Sequence, residues 1–362
     1  MPPNRQPLPG PPATPPEHRR VVVRRRIAAL LVSAIVLTAV TIVSSSSPRA
    51  RVRSYASPLA AKASGRGFLA RGSALALPGN ILVSDRRNNR LLVISPRGQV
   101  AWSHSIKRPG AAILSPTDRS LVVTRQSASV VLQISLIDGR TVYKYGRRGR
   151  SGTATDQLRE PQTGVALSDR RLLLADRASC RILIVRPPSH RPSTTLGEAG
   201  VCLHDPAKTF AHPDAAFPTR AGDIVVSEPS PGWVDFLTRK GHLLSAVRIR
   251  GLSALDDANE FAPGRFVATS NSRPGAVEEF TTTGRVLWRF APASGLGELD
   301  RPSLAQVLPN GDVLVSDSDN DRIIVIDPRR NVIVWQYGHT RRAGSDPGYL
   351  DAPESAILLP RT

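Results

Sequence analysis

Cysteine is almost missing from this 362-residue chain, which holds two, Cys180 and Cys202, and a single Met. Two Cys alone cannot close a structural zinc site, and no CxxC occurs. Large aromatics make up only 5% of residues. Past residue 64 no long stretch repeats its apolar residues with a 3.6-residue period, so helix is a minor component. The Gly-x-Ser-x-Gly of serine hydrolases is absent, as are P-loop and dinucleotide-binding fingerprints. These gaps remove the common nucleotide-dependent and serine-nucleophile enzymes and leave a chain built from short strands.

What is present is a repeat. ILVSDRRNNRLLVISPRGQVAW, residues 81–102, returns as VLVSDSDNDRIIVIDPRRNVIVW, residues 313–335. In each copy an apolar run ends in a polar residue, a short turn follows, and a second apolar run begins. The polar position is Asp85, Arg125, Asp176, Glu228, Thr269 and Asp317 in six successive units, spaced 40, 51, 52, 41 and 48 residues apart. That spacing suits a four-stranded blade and is too long for a leucine-rich or ankyrin repeat. In the last unit the strands are expected near 303–308, 312–317, 322–327 and 331–336, each bounded by Pro, Gly, Asn or Asp.

The fourth strand of a unit carries a second mark, Gly-x-apolar-x-aromatic: Gly98 to Trp102, Gly139 to Tyr143 (with Thr141 in the apolar place) and Gly284 to Trp288, with Asn331 to Trp335 keeping the spacing. Asn tolerates the left-handed backbone nearly as Gly does, so one tight turn explains both choices. Six such sheets around an axis make an all-β, six-bladed β-propeller. Residues 353–360, PESAILLP, match 302–309, PSLAQVLP, and are expected to complete the first blade. A seven-bladed ring is the alternative.

The Asp-x-x-Asn-x-Arg pattern of Asp85, Asn88 and Arg90, repeated at Asp317, Asn320 and Arg322 and as Asp176, Ser179 and Arg181, resembles NHL repeats. The connectors at 145–167 and 337–360 resemble the Gly-rich NHL connector, and the VYKYG and VWQYG endings are similar to quinoprotein-type propellers. The resemblance covers residues 68–360 and implies architecture. The Asp and Arg of each pair, Asp85 with Arg90, Asp176 with Arg181 and Asp317 with Arg322, are expected to lock their hairpins. Asp317, Asp319 and Asp321 have the opening spacing of a calcium loop, but Arg322 and Pro328 stand where Gly and Glu are needed, so no calcium is expected there.

Residues 27–43 form an uncharged apolar run preceded by Arg24, Arg25 and Arg26. It is long enough for a transmembrane signal-anchor helix, with residues 1–26 a disordered cytoplasmic tail, 44–67 a basic stalk and 68–362 an extracytoplasmic propeller. A cleaved signal peptide is the alternative. The formal net charge is +20. Residues 1–43 hold six Arg and one Glu, and residues 44–71 five Arg and one Lys, so the propeller itself keeps +9. With no nucleic-acid-binding motif, the charge points to the membrane and to anionic cell-surface polymers, and nucleic acid is not an expected partner. Outside the cytosol, Cys180 and Cys202 are expected to pair.

The connector between the third and fourth units carries the densest set of ionisable side chains. His204, Asp205, His212 and Asp214, with Glu228 and Trp233 beside them, are the candidate ligand-binding residues. Their spacing matches no metal motif, so neither a metal nor another cofactor is expected. The leading functional expectation is a binding or scaffold module for protein, peptide or cell-envelope polymer. A propeller enzyme or quinone-type cofactor protein working at the axial mouth is the alternative.

Overall fold

The computed structural model describes residues 77–360, Ser253 apart. The tail, the apolar run at 27–43 and the stalk lie outside the described residues. Among those described, no helix is long and apolar enough to cross a membrane.

Six four-stranded antiparallel sheets follow one another along the chain. Blade 1 contains β1 (Ile81–Asp85), β2 (Arg90–Ile94) and β3 (Val100–Ser105). Blade 2 is β4 (Ala112–Leu114), β5 (Ser120–Arg125), β6 (Val130–Ser135) and β7 (Thr141–Tyr145). Blade 3 is β8 (Pro161–Ala166), β9 (Leu172–Asp176), β10 (Arg181–Val185) and β11 (Pro192–Leu196). Blade 4 is β12 (Ala215–Pro218), β13 (Ile224–Glu228), β14 (Trp233–Leu237) and β15 (Leu243–Arg248). Blade 5 is β16 (Leu255–Ala262), β17 (Arg265–Ser270), β18 (Ala276–Thr281) and β19 (Val286–Phe290). Blade 6 is β20 (Pro302–Val307), β21 (Val313–Asp317), β22 (Arg322–Asp327) and β23 (Val332–Gly338). The chain then returns as β24 (Pro353–Leu358), which pairs antiparallel with β1 through Val83 and Ala356 and supplies the missing inner strand of blade 1. The ring therefore has six blades.

The burial pattern explains why the strands read as they do. The second and third strands of a blade are packed on both faces by neighbouring blades, and β1, β9, β13 and β21 are buried at every residue. Continuous Val, Ile and Leu runs are the consequence, since neither face meets water. The outermost strands alternate, as β3 does. Trp335 and Tyr337 are buried between blades 6 and 1, in one cluster with Ile81, Val83 and Leu350. The residue that opens the marked outer strand lies at positive φ each time: Gly98 73°, Gly139 72°, Gly284 76° and Asn331 55°. Asn331 thus adopts the backbone that its glycine counterparts take.

Loops between the second and third strands, and connectors running from one blade to the next, share one end of the ring. Three of those loops are short 3-10 turns, Gln126–Ala128, Arg177–Ser179 and Ser318–Asn320. All of the candidate binding residues lie at this end.

Candidate functional site

In blades 1, 3 and 6 the aspartate at the end of the second strand and the arginine opening the third face each other. Arg90 Nε donates to Asp85 Oδ2 at 2.7 Å, Arg181 Nε to Asp176 Oδ2 at 2.8 Å and Arg322 Nε to Asp317 Oδ2 at 2.7 Å. The pairs reach beyond their own hairpins. The second carboxylate oxygen accepts a backbone N–H from the incoming connector: Asp351 on Asp85 at 2.8 Å, Arg159 on Asp176 at 2.6 Å and Asp300 on Asp317 at 2.8 Å. The remaining guanidinium N–H groups donate to connector carbonyls, those of Ser345, Thr153 and Leu296 among them. Each pair is therefore a clamp that fastens a connector to its blade, and it satisfies polar groups that would otherwise be buried unpaired.

Blade 4 departs from this pattern at three places. Glu228 stands at the aspartate position and Trp233 at the arginine position, directly opposite it in the β13–β14 ladder. Asp235, two residues on and paired with Val226, occupies the place held by Leu92, Leu183 and Ile324 in blades 1, 3 and 6. Because paired residues share a sheet face, Glu228, Trp233 and Asp235 all point into the seam toward blade 3. The connector lays His204 across them. Its imidazole stacks on the Trp233 ring with centroids 4.3 Å apart, and its Nδ1 lies 3.0 Å from Glu228 Oε2. The same oxygen accepts the Ala211 N–H at 2.9 Å.

Glu228 and Asp235 are fully buried, and neither Asp235 oxygen nor Glu228 Oε1 has a hydrogen-bond donor. Burial, reinforced by the neighbouring Glu228 carboxyl, pushes Asp235 well above the usual carboxylate range. A proton or a cation is what this pair of acids calls for.

The other candidate residues go elsewhere. Asp205 is half exposed and faces Lys208 at 3.7 Å. His212 is exposed, with φ 59° and its Nδ1 3.5 Å from Cys180 Sγ. Cys180 and Cys202 form a disulfide that staples the connector to blade 3, two residues before His204. Their bonded sulfurs are not metal donors. Asp319 faces Arg301 at 3.7 Å, and Asp321 accepts the Ala352 N–H at 3.1 Å, so the 317–321 aspartates are each engaged separately.

Asp214 belongs to the axial mouth. Arg177 Nε lies 2.6 Å from its Oδ1, and Arg177 also reaches Glu160 at 3.1 Å. Glu354, on β24 across the ring, accepts from Arg86 at 3.0 Å, and Arg86 also reaches Gln126 at 3.2 Å. Asp256, at the start of β16, accepts from Asn271 at 2.6 Å. The residue is half-buried, and enclosure of its carboxyl, with Asp214 and Glu354 nearby, pushes it well above the usual range. Asp235, Asp256 and Glu354 are thus site residues that motif reading missed. Asp235 alone leaves a trace in the repeat, as an acid at a position otherwise Leu or Ile.

No protein-family model and no curated protein sequence matches the chain. Solved structures do match in fold. A protein of unknown function from Bacteroides caccae has 17% identity and a TM-score of 0.53, covering 72% of this chain and 93% of that one. A structure of the nidogen/laminin complex has 12% identity and a TM-score of 0.54 over 72% and 93%. Virginiamycin B lyase from Staphylococcus aureus has 12% identity and a TM-score of 0.50 over 76% and 88%. At these identities the likeness is one of fold, and this chain's own fold is a six-bladed β-propeller.

Proposed function

We propose that this chain is a membrane-anchored, extracytoplasmic, NHL-like propeller that serves as a binding module. Its ligand is a peptide or cell-envelope polymer bearing amino groups, taken at the axial mouth. The carrying observation is that Asp214, Asp256 and Glu354 stand at the same end of the inner strands of blades 4, 5 and 1, with Arg86 and Arg177 held beside them by Glu354, Gln126, Glu160 and Asp214. An entering ammonium group would relieve the mutual repulsion of these carboxyls, and such groups are worth more where water is excluded. The apolar run at 27–43 with its preceding arginines supports the anchor, and the Asp-Asn-Arg clamps support the NHL-like assignment.

The test is calorimetric titration of the purified protein with an oligolysine peptide and with an amine-bearing cell-wall fragment. Glu354→Gln and Asp256→Asn should each weaken binding at least tenfold while melting stays within a few degrees. No binding to either probe, or binding indifferent to both substitutions, overturns the reading. An intact N-terminus on membrane-bound protein checks the anchor.

A second reading, a propeller enzyme, is favoured by one observation: an imidazole beside two buried carboxyls, His204 with Glu228 and Asp235, has the groups needed for proton transfer. It requires turnover of some substrate that His204→Ala abolishes without loss of fold.

A further inference from the structure

We infer that His204, Glu228 and Asp235 form a site for one divalent transition-metal ion of the zinc or manganese class, in the seam between blades 3 and 4. This inference is independent of what the axial mouth binds.

One donor atom from each residue lies within 4.8 Å of the other two, so modest side-chain rotation brings all three onto a single ion. The site has three acceptor oxygens with nothing to accept: both of Asp235 and Oε1 of Glu228. Both side chains are 0% exposed. Two adjacent buried acids with three of four oxygens lacking a donor are costly, and a shared proton satisfies only one oxygen on each. Where blades 1, 3 and 6 face the same acid with arginine, blade 4 supplies Trp233, which carries no charge. Glu228 thus lacks the guanidinium partner that its counterparts possess, and the seam adds a second acid that they do not; Arg248, opposite Trp233 on the outer strand, is exposed and donates to the Pro231 carbonyl instead. Around the pair lie Val226, Trp233 and the connector, whose Ala211 N–H is spent on Glu228 Oε2.

The fold itself does not require Asp235, because Leu or Ile fills that position in the three clamped blades. The donor set selects the ion. One imidazole nitrogen and two carboxylates suit zinc or manganese, whereas calcium needs six to eight oxygens and magnesium prefers oxygen and water. The surroundings do what outer partners of a metal site do. Trp233 fixes the plane of the His204 ring, and the Ala211 N–H orients Glu228. The disulfide at Cys202 restrains the segment that carries His204.

The test uses untagged full-length protein, stripped with a chelator, dialysed and then titrated with zinc chloride or manganese chloride, with calcium chloride as control. Bound metal is counted by mass spectrometry and melting is followed in parallel. One zinc or manganese per chain and a melting point raised by several degrees are expected. Asp235→Leu and His204→Ala should retain less than a tenth of the wild-type metal. Asp235→Leu should melt, metal-free, at or above the stripped wild type, which separates loss of the site from loss of the fold. Wild-type protein that keeps no metal and shows no melting shift overturns the inference. So does Asp235→Leu protein that keeps a full equivalent, or metal binding lost in Cys180→Ser/Cys202→Ser but retained in Asp235→Leu.

Discussion

Trp233 stands opposite Glu228 across the β13–β14 ladder, where the clamped blades set an arginine against an aspartate. The exchange leaves Glu228 without the guanidinium partner that the clamped aspartates have. Restoring the pattern with Trp233→Arg and Asp235→Leu should pair Glu228 and remove the second buried acid. The metal-free double variant should gain about 1–3 kcal/mol over stripped wild type, read from urea denaturation. A double variant less stable than wild type would show that Trp233 packs in a way that arginine cannot replace.

The clamps should differ in weight. Arg322 is 1% exposed and Arg90 is 21% exposed, while both aspartates are fully buried. Asp317→Ala strands a buried guanidinium and should cost about 3–5 kcal/mol, and Asp85→Ala should cost less because Arg90 can turn to water. Denaturation midpoints of the two variants measure the order.

The disulfide closes 22 residues of sequence. In the chain-entropy picture such a loop contributes about 3 kcal/mol. Cys180→Ser/Cys202→Ser should lose that much in urea denaturation, and reductant should bring wild type down to the variant. Alkylation under non-reducing conditions should leave the wild-type mass unchanged.

Glu278 on β18 is fully buried, with Arg289 Nε 3.2 Å away. Burial pushes its carboxyl up to about 7, and Arg289 only partly offsets this. A folded value above the unfolded 4.5 means that the folded chain binds the proton more tightly. The associated stability is present below pH 4.5 and is lost as pH rises through 7. Glu278→Gln should flatten this slope, matching wild type in acid and exceeding it at pH 8. Melting curves across that range check the sign.

The architecture was legible because its physics is periodic. Strands buried on both faces became apolar runs, outer strands kept Gly or Asn before an aromatic, and 353–360 resembled 302–309 closely enough to mark β24. The site was legible only in part. His204, Glu228 and Trp233 lie within one charged stretch and meet in space. Asp205, His212 and Asp214 belong to the same stretch but diverge, because the connector turns at 205–209 and then enters the axial mouth. Asp235 was hidden by ordinary alternation: one polar residue in WVDFL reads as a solvent-facing strand position. Only the register against Leu92, Leu183 and Ile324 shows that it points into the seam. Asp256 and Glu354 come from separate blades, and nothing in the linear order joins them.

The pairing of β24 with β1 has a consequence for how the ring is assembled. Val83 meets Ala356, so the first blade to leave the ribosome is the last to be completed. Until then β1 presents an unpaired inner edge, while each later blade can acquire all four strands from contiguous chain. An open edge of ILVSD is a template for pairing with another chain. Nascent or C-terminally clipped molecules should therefore aggregate through blade 1 until, or unless, the final strand docks.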